Sequence, residues 1–271
     1  MMKRILVAAV MIAISAPMTA QWLNYPTPGV PKTASGQPNL TASAPRTADG
    51  KPDLSGIWAN DTTRPSNSPP PGGVLPLASS VGWVDFGVGL PGGLPYQPWA
   101  AAAVKQRKAD NGKDDPTSHC LPLGVPRMLV DPELRKFVQV PGLLVIINER
   151  DAGYRQIFTD GRPLPEDPQP SWNGYSTGKW DGDTLVVQTN GFRDGMWLDR
   201  SGSPITNAAK LTERFRRPNY GTLEIEVTMD DPKAYTKPWT IKLKEFIVLN
   251  TELMDYICSE NEKDEKHLVG K

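Results

Sequence analysis

Histidine and cysteine are sparse in this sequence, two of each, and the candidates for acid–base chemistry lie in two places. Asp160-Gly161-Arg162 sets a carboxylate and a guanidinium on either side of a glycine. Aimed into one mouth, the pair would serve as a proton-transferring acid and its cationic partner. As a simple turn, it would close on itself through a local salt bridge. The loop DDPTSHCLPLGVPR, residues 114–127, holds His119 beside Cys120. An imidazole titrates near neutrality, so His119 is a candidate general acid or base. No nearby Ser-His-Asp order supports that role, and no C-x-x-C or H-x-x-x-H spacing offers a metal site. Arg127 follows the rigid Pro126, where it can bind an anion or cap loop carbonyls. Trp172, Tyr175, Arg162 and Arg214 add flat rings and guanidinium groups, the mix that lines small-molecule sites.

These residues need a scaffold, and hydrophobic alternation supplies one. Residues 172–192, WNGYSTGKWDGDTLVVQTNGF, read as a β-hairpin turning at Asp181-Gly182. That centre pairs Trp180 with Asp183, Gly178 with Leu185 and Ser176 with Val187. One face carries Trp180, Leu185 and Val187 beside Gly178 and Ser176, and the wetter face carries Tyr175. The small residues either leave room for a ligand over a concave face or belong to an ordinary twisted hairpin with glycine at a bulge. Upstream, Lys136–Val140 and Leu143–Glu149 flank Pro141-Gly142, a type II turn signal, and Tyr154–Thr159 follows. Downstream, Leu211, Glu213 and Phe215 alternate with Thr212, Arg214 and Arg216. Leu223–Met229 and Trp239–Lys244 alternate likewise. If Met229 faces Trp239, then Val227 opposes Ile241, Ile225 opposes Leu243 and Leu223 opposes Glu245. Glu226 then meets Lys242, and Glu224 meets Lys244, on the other face. A slip of one residue would bury Glu226 unpaired.

A meander of about eight strands favours closure. The expected fold is therefore mainly β, an antiparallel meander closing into a lipocalin-like barrel, with a β-sandwich as the alternative. Gly56-Ile57-Trp58 is similar to the Gly-x-Trp signature of the first lipocalin strand, whose Trp plugs the closed barrel end. Gly178-Lys179-Trp180 and Gly195-Met196-Trp197 share the pattern, but only Trp58 sits at the first strand. A generic core Trp is the alternative. Pro98–Ala109 is the one clear helix, with Pro in its first turn, an alanine run, and Lys105, Arg107 and Lys108 towards its C-terminus.

The ends and the composition set the context. A basic start and a short apolar run, residues 1–20, read as a secretory signal peptide. Residues 21–50, rich in Pro, Thr, Ala and Gly, are expected to form a disordered linker; within them GQPNLTA (36–42) echoes GKPDLSG (50–56). The β domain spans 51–258 and a charged tail 259–271. Lys plus Arg and Asp plus Glu number 30 each, which leaves no global field to attract nucleic acid or an acidic membrane. Pro (28) and Gly (24) are abundant, which favours many turns over a helical bundle. Residues 61–97 are expected to be mostly loop, with Trp83, Phe86, Tyr96 and Trp99 acting as a lid or as surface pins. The two cysteines, Cys120 and Cys258, pair most simply as one disulfide in an oxidising compartment.

PDLSGIW (52–58), HCLPLGVPR (119–127), RQIFTDGRPLP (155–165), GYSTGKWDGDTLVVQT (174–189), LTERFRRP (211–218) and DDPKAYTKPW (230–239) cover most of the chain beyond the leader. Together they resemble a family of exported, mostly uncharacterised bacterial proteins abundant in soil bacteria. The resemblance implies a β-rich exported domain and no particular activity. Its members often carry a His-Ser-Glu-like tripeptide where this chain has Ile205-Thr206-Asn207, so chemistry resting on that histidine would be missing here. Three functions follow as expectations. The first is a periplasmic or secreted protein that binds a small, partly apolar ligand in the barrel mouth, with Asp160, Arg162, Trp172, Tyr175 and Arg214 as contacts. The second is a secreted lyase, isomerase or hydratase using Asp160 or His119 as acid or base. The third is a structural envelope protein. No cofactor, nucleic-acid partner or membrane span is expected.

Overall fold

Residues 25–61, 83–88, 90–258 and 260 are described in the computed structural model. The leader expected at 1–20, residues 62–82 of the Pro/Gly loop and nearly all of the charged tail lie outside the described residues. The strands are β1 Gly56–Asn60, β2 Arg135–Val140, β3 Leu143–Asn148, β4 Tyr154–Phe158, β5 Tyr175–Asp181, β6 Thr184–Asn190, β7 Met196–Trp197, β8 Pro204–Ile205, β9 Lys210–Asn219, β10 Thr222–Asp230 and β11 Trp239–Ile247. Helix α1 spans Pro98–Ala109, as its sequence requires.

Nine strands close a barrel in the cyclic order β1-β2-β3-β4-β5-β6-β9-β10-β11, while β7 and β8 form a separate ribbon. The barrel is the lipocalin-like meander expected, with one departure. An odd number of strands cannot alternate direction all the way round a closed ring, so one neighbouring pair must run parallel. That pair is β4–β5. Parallel neighbours need a long connection, and the Pro-rich segment 159–174 returns the chain to the starting end of β4. The β4–β5 ladder is short, matching only Ile157 with Ser176 and Phe158 with Thr177.

The β10–β11 hairpin has the expected register: Met229 opposes Trp239, Val227 opposes Ile241, and Glu226 opposes Lys242. Leu223, Ile225, Val227 and Met229 are buried, and Glu226 pairs with Lys242 at 3.6 Å on the outer face. Glu224 opposes Lys244 but bonds Arg216 on the other side, at 3.0 Å. In the β5–β6 hairpin the turn is Gly182-Asp183, not Asp181-Gly182: Trp180 opposes Leu185 and Gly178 opposes Val187. Gly182 has φ +58° at the first turn position, which suits a type II′ turn. The shift is two residues, so every side chain keeps its face. Gly178 leaves no ligand room, because a Cβ there would come within 3.2 Å of Leu185, Ile157 and Thr159 side chains. Nor does it mark a bulge, since the ladder runs through it unbroken.

Residues 25–50 are not a disordered linker, as far as they are described. The echoing sequences fold into matching turns. Thr33 N–H donates to Gln37 O and Thr47 N–H to Lys51 O, at 2.8 and 2.9 Å. Gly36 and Gly50 both take positive φ, at +80° and +78°. The first copy docks through Tyr220 N–H to Ala42 O and Gly221 N–H to Leu40 O, both 2.8 Å. The second closes the barrel end: Leu54 is fully buried and its carbonyl accepts from Trp58 Nε1 at 3.0 Å. Arg217 lies 4.8 Å from the Trp58 ring and donates to the Asp53, Ser55 and Tyr220 carbonyls. Trp58 thus fills the closed end, as the first-strand pattern implied.

At the opposite end, loops cap the barrel. Phe86 is fully buried, Tyr96 packs on Tyr235 at 5.6 Å, and Trp99 Nε1 donates to Lys233 O at 2.6 Å, so these aromatics pin the chain down. Three buried aspartates organise the cap by accepting N–H and O–H donors: Asp115 from Thr117, Asp199 from Phe86 and Ser203, and Asp231 from Thr206 and Ala234. Cys120 and Cys258 are disulfide-bonded across 138 residues. Closing a loop of that length stabilises by about 5 kcal/mol in the chain-entropy picture.

Candidate functional cleft over the parallel seam

The short β4–β5 ladder creates the site. Beyond Ile157 the strands part, and a cleft of about 520 Å³ opens between residues 154–156 of β4 and residues 171–175 leading into β5. Alternation places Tyr154, Gln156 and Phe158 on the outer side of β4, and Tyr175 stands beside them from β5. Phe158 and Tyr175 stack with centroids 5.3 Å apart. Trp172 forms another wall. Asn173 bridges the gap by donating from Nδ2 to Tyr154 O at 2.8 Å. Gly174, with φ +61°, lets the chain pass 2.5 Å (as a Cβ would measure it) from Asn190 O, so only glycine fits there.

The floor of the cleft is formed by the buried, inward-facing residues Arg155 and Ser176. Arg155 is buried and forks onto Glu213: Nη1 donates to Oε1 at 2.8 Å and Nη2 bonds Oε2. Its remaining donors reach Ser176 Oγ at 3.1 and 3.3 Å and Thr189 Oγ1 at 3.0 Å. Each guanidinium nitrogen has a hydrogen-bond partner, which offsets the cost of burying the charge. The signal was readable: Arg155 shares a strand face with Ile157, and Glu213 sits between Leu211 and Phe215 in an apolar row.

The residues expected to form a site are only partly brought together. Asp160 and Arg162 are half-exposed and bonded to each other, with contacts of 2.6 and 2.9 Å. Arg162 also reaches Tyr175 Oη at 3.2 Å and lies 3.9 Å from the Phe158 ring. They brace the lower wall of the cleft from outside the barrel. Hydrogen bonds from Arg162 hold the Asp160 carboxyl below the ordinary range, which disfavours a proton donor. Trp172 and Tyr175 share the cleft. Arg214 does not. It lies on the outer face with Asp181 at 3.1 Å, beside a depression of about 410 Å³ lined by Arg216, Glu224, Glu226, Lys242 and Lys244. That face is a ladder of alternating charges. His119 is exposed and its Nε2 meets Lys113 O at 3.2 Å, with no carboxylate to orient it. Arg127 is spent on Asp115, through two bonds of 2.7 Å.

A second polar cluster sits under the cap. Asp131 is fully buried, neither of its carboxylate oxygens has a hydrogen-bond partner, and Arg150 Nη1 is 3.8 Å away. Burial, then the neighbouring Glu133 carboxyl, push the Asp131 carboxyl up to about 8. Beside it Arg135 and Glu245, both fully buried, pair at 3.2 Å inside the barrel, and burial pushes the Glu245 carboxyl up. The same register that sets Leu223 opposite Glu245 carries Glu245 indoors. Over Arg150 lies a polar pocket of about 380 Å³ that also includes Trp83, Tyr256 and Arg200. Among the described residues no three His, Cys, Asp or Glu side chains converge as metal ligands, and no helix is long and apolar enough to cross a membrane.

Fold and cleft together define a closed β-barrel with a surface cleft at its one parallel seam. No family model matches the chain, and no curated protein matches it significantly.

Proposed function

We propose that the protein is an exported small-molecule-binding barrel whose ligand site is the cleft over the β4–β5 seam. The observation that carries this reading is the gathering of Tyr154, Phe158, Trp172 and Tyr175 around one cleft of about 520 Å³ with a buried, fully partnered Arg155 as its floor. Binding sites combine aromatic walls with a few fixed polar groups on a rigid scaffold, and the Arg155–Glu213 fork supplies the rigidity. The barrel interior itself is filled by side chains such as Trp58, Phe137, Phe215 and Ile225, so the site moves from the mouth to the wall. Export to the periplasm or medium is supported by the leader-like start and by the disulfide. The resemblance of the motifs to an exported family agrees with it. The test is an untargeted mass-spectrometric search for metabolites that co-purify with the native protein and are lost from Tyr175→Ala. A metabolite set identical in both proteins counts against the cleft.

A second reading, a secreted acid–base enzyme, draws support from Asp131 and not from Asp160 or His119. A carboxyl pushed up to about 8 beside a polar pocket has the proton affinity of a general acid. Loss of turnover in Asp131→Asn, with ligand binding at the seam intact, would favour it.

A further inference from the structure

The aromatic cleft is open on one side to solvent, and this decides what chemistry suits it. A wholly apolar ligand gains most from enclosure. Here a bound molecule keeps one side wet, so it needs an apolar face for the rings and polar edges for water and for the cleft. Tyr154 is 63% exposed, so its ring is accessible from the open side.

Charge narrows the class further. Arg155 in the floor is committed to Glu213, and Arg162 behind Tyr175 to Asp160. Asp151 at the upper rim accepts the Cys258 N–H at 2.9 Å and has Arg150 at 3.7 Å. Within the lining itself no cation lacks a carboxylate partner; Arg193, set against the Trp172 ring, stands outside the lining. Cationic ligands are disfavoured, because guanidinium groups already lie against two of the rings, Arg162 at Phe158 and Arg193 at Trp172, at 3.9 and 4.6 Å. The uncommitted polar groups are neutral and planar: the Gln156 amide, Asn173 Oδ1, the Trp172 indole N–H and the Tyr154 hydroxyl. They can donate and accept in the plane of a ring-shaped ligand.

We infer that the cleft binds a neutral oligosaccharide, whose pyranose C–H faces lie on Tyr154, Tyr175 and Trp172 while its hydroxyls meet Gln156 and Asn173. The inference rests on the cleft being the ligand site. Flat rings supply area at little conformational cost, and the amide edges supply direction. An aromatic metabolite is the competing occupant. It would use the rings equally well but would leave the amides idle.

The test is saturation-transfer NMR on the full disulfide-bonded chain. The probes are neutral tetrasaccharides of glucose, xylose and N-acetylglucosamine, with indole and naphthol as apolar controls. The expected result is transfer to the C–H protons of at least one tetrasaccharide. Tyr175→Ala should abolish the transfer and Arg214→Ala should leave it unchanged. Gln156 is exposed, so Gln156→Ala keeps the fold. It should weaken binding about fivefold, the loss of one hydrogen bond of ~1 kcal/mol. Indole or naphthol binding that depends on Tyr175, with no tetrasaccharide bound, overturns the sugar inference and leaves the cleft standing. Tetrasaccharide binding indifferent to both Tyr175 and Gln156 overturns the inference and places sugar elsewhere. No transfer to any probe overturns both.

Discussion

Removing one partner of the Arg155–Glu213 pair should be far worse than removing both. The two side chains are 1% and 0% exposed, and the guanidinium makes bonds to Glu213, Ser176 and Thr189. In Glu213→Leu the guanidinium stays buried without its counter-ion and cannot shed its charge, which costs about 3–5 kcal/mol. In Arg155→Leu the orphaned carboxylate can take up a proton, so its loss should shrink as the buffer is acidified. The double variant replaces the pair with apolar bulk among Ile157, Val187 and Leu211, and should lie within about 1–2 kcal/mol of the parent. The assay is urea unfolding of the disulfide-bonded protein for all four species. A coupling of at least about 3 kcal/mol is expected. Single losses below about 1 kcal/mol, or a double loss equal to the sum of the singles, would refute the claim that the pair is a buried, mutually dependent unit beneath the cleft.

Two further outcomes follow from the packing. Val227 is fully buried opposite Ile241, so Val227→Asp should unfold the domain, whereas exchanging Glu226 and Lys242 should change stability by less than about 1 kcal/mol; circular dichroism melts distinguish them. Stability should also fall as pH rises from about 4 to about 8, because folded Asp131 retains a proton up to about 8 that the unfolded chain releases near pH 4, so the folded state binds more protons in that window. A shift of this size sets an upper bound of roughly 6 kcal/mol. Asp131→Asn should flatten most of that slope, and urea midpoints unchanged in their pH dependence would count against it.

The sequence was most legible where alternation and turn chemistry agreed. The β10–β11 register was readable because a slip of one residue buries Glu226, and α1 because Pro98 and the alanine run bound it. The β5–β6 turn lies one residue beyond the expected one, and the register two, because Asp181, Gly182 and Asp183 all suit turns and a two-residue register shift flips no side chain. The arm 25–50 was misjudged because apolar periodicity is its weakest signal. Its order comes from repeated backbone turns and from Leu54 entering the barrel end. The site was half visible. Trp172 and Tyr175 share the cleft, Arg162 reaches Tyr175 Oη from outside its lining, and Asp160 bonds Arg162. The cleft depends on a parallel seam that strand count dictates only after all nine strands are known. Arg155, Glu213, Arg135 and Glu245 share rows with Ile157, Phe215, Phe137 and Leu243, and that placement buries them. A charge in an apolar row marks either an error of register or a buried pair, and here it marks two pairs.

The most direct test of the account is a chemical-shift map. Backbone amide and indole N–H resonances are assigned, and the protein is titrated with the metabolite that co-purifies, or with the tetrasaccharide that shows transfer. The account predicts shifts concentrated at Tyr154, Gln156, Phe158 and residues 172–176, with the Trp172 indole moving and the Trp58 and Trp83 indoles still. Shifts centred on the charged outer face of β9–β11, or on Trp83 and Tyr256 under the cap, would contradict it.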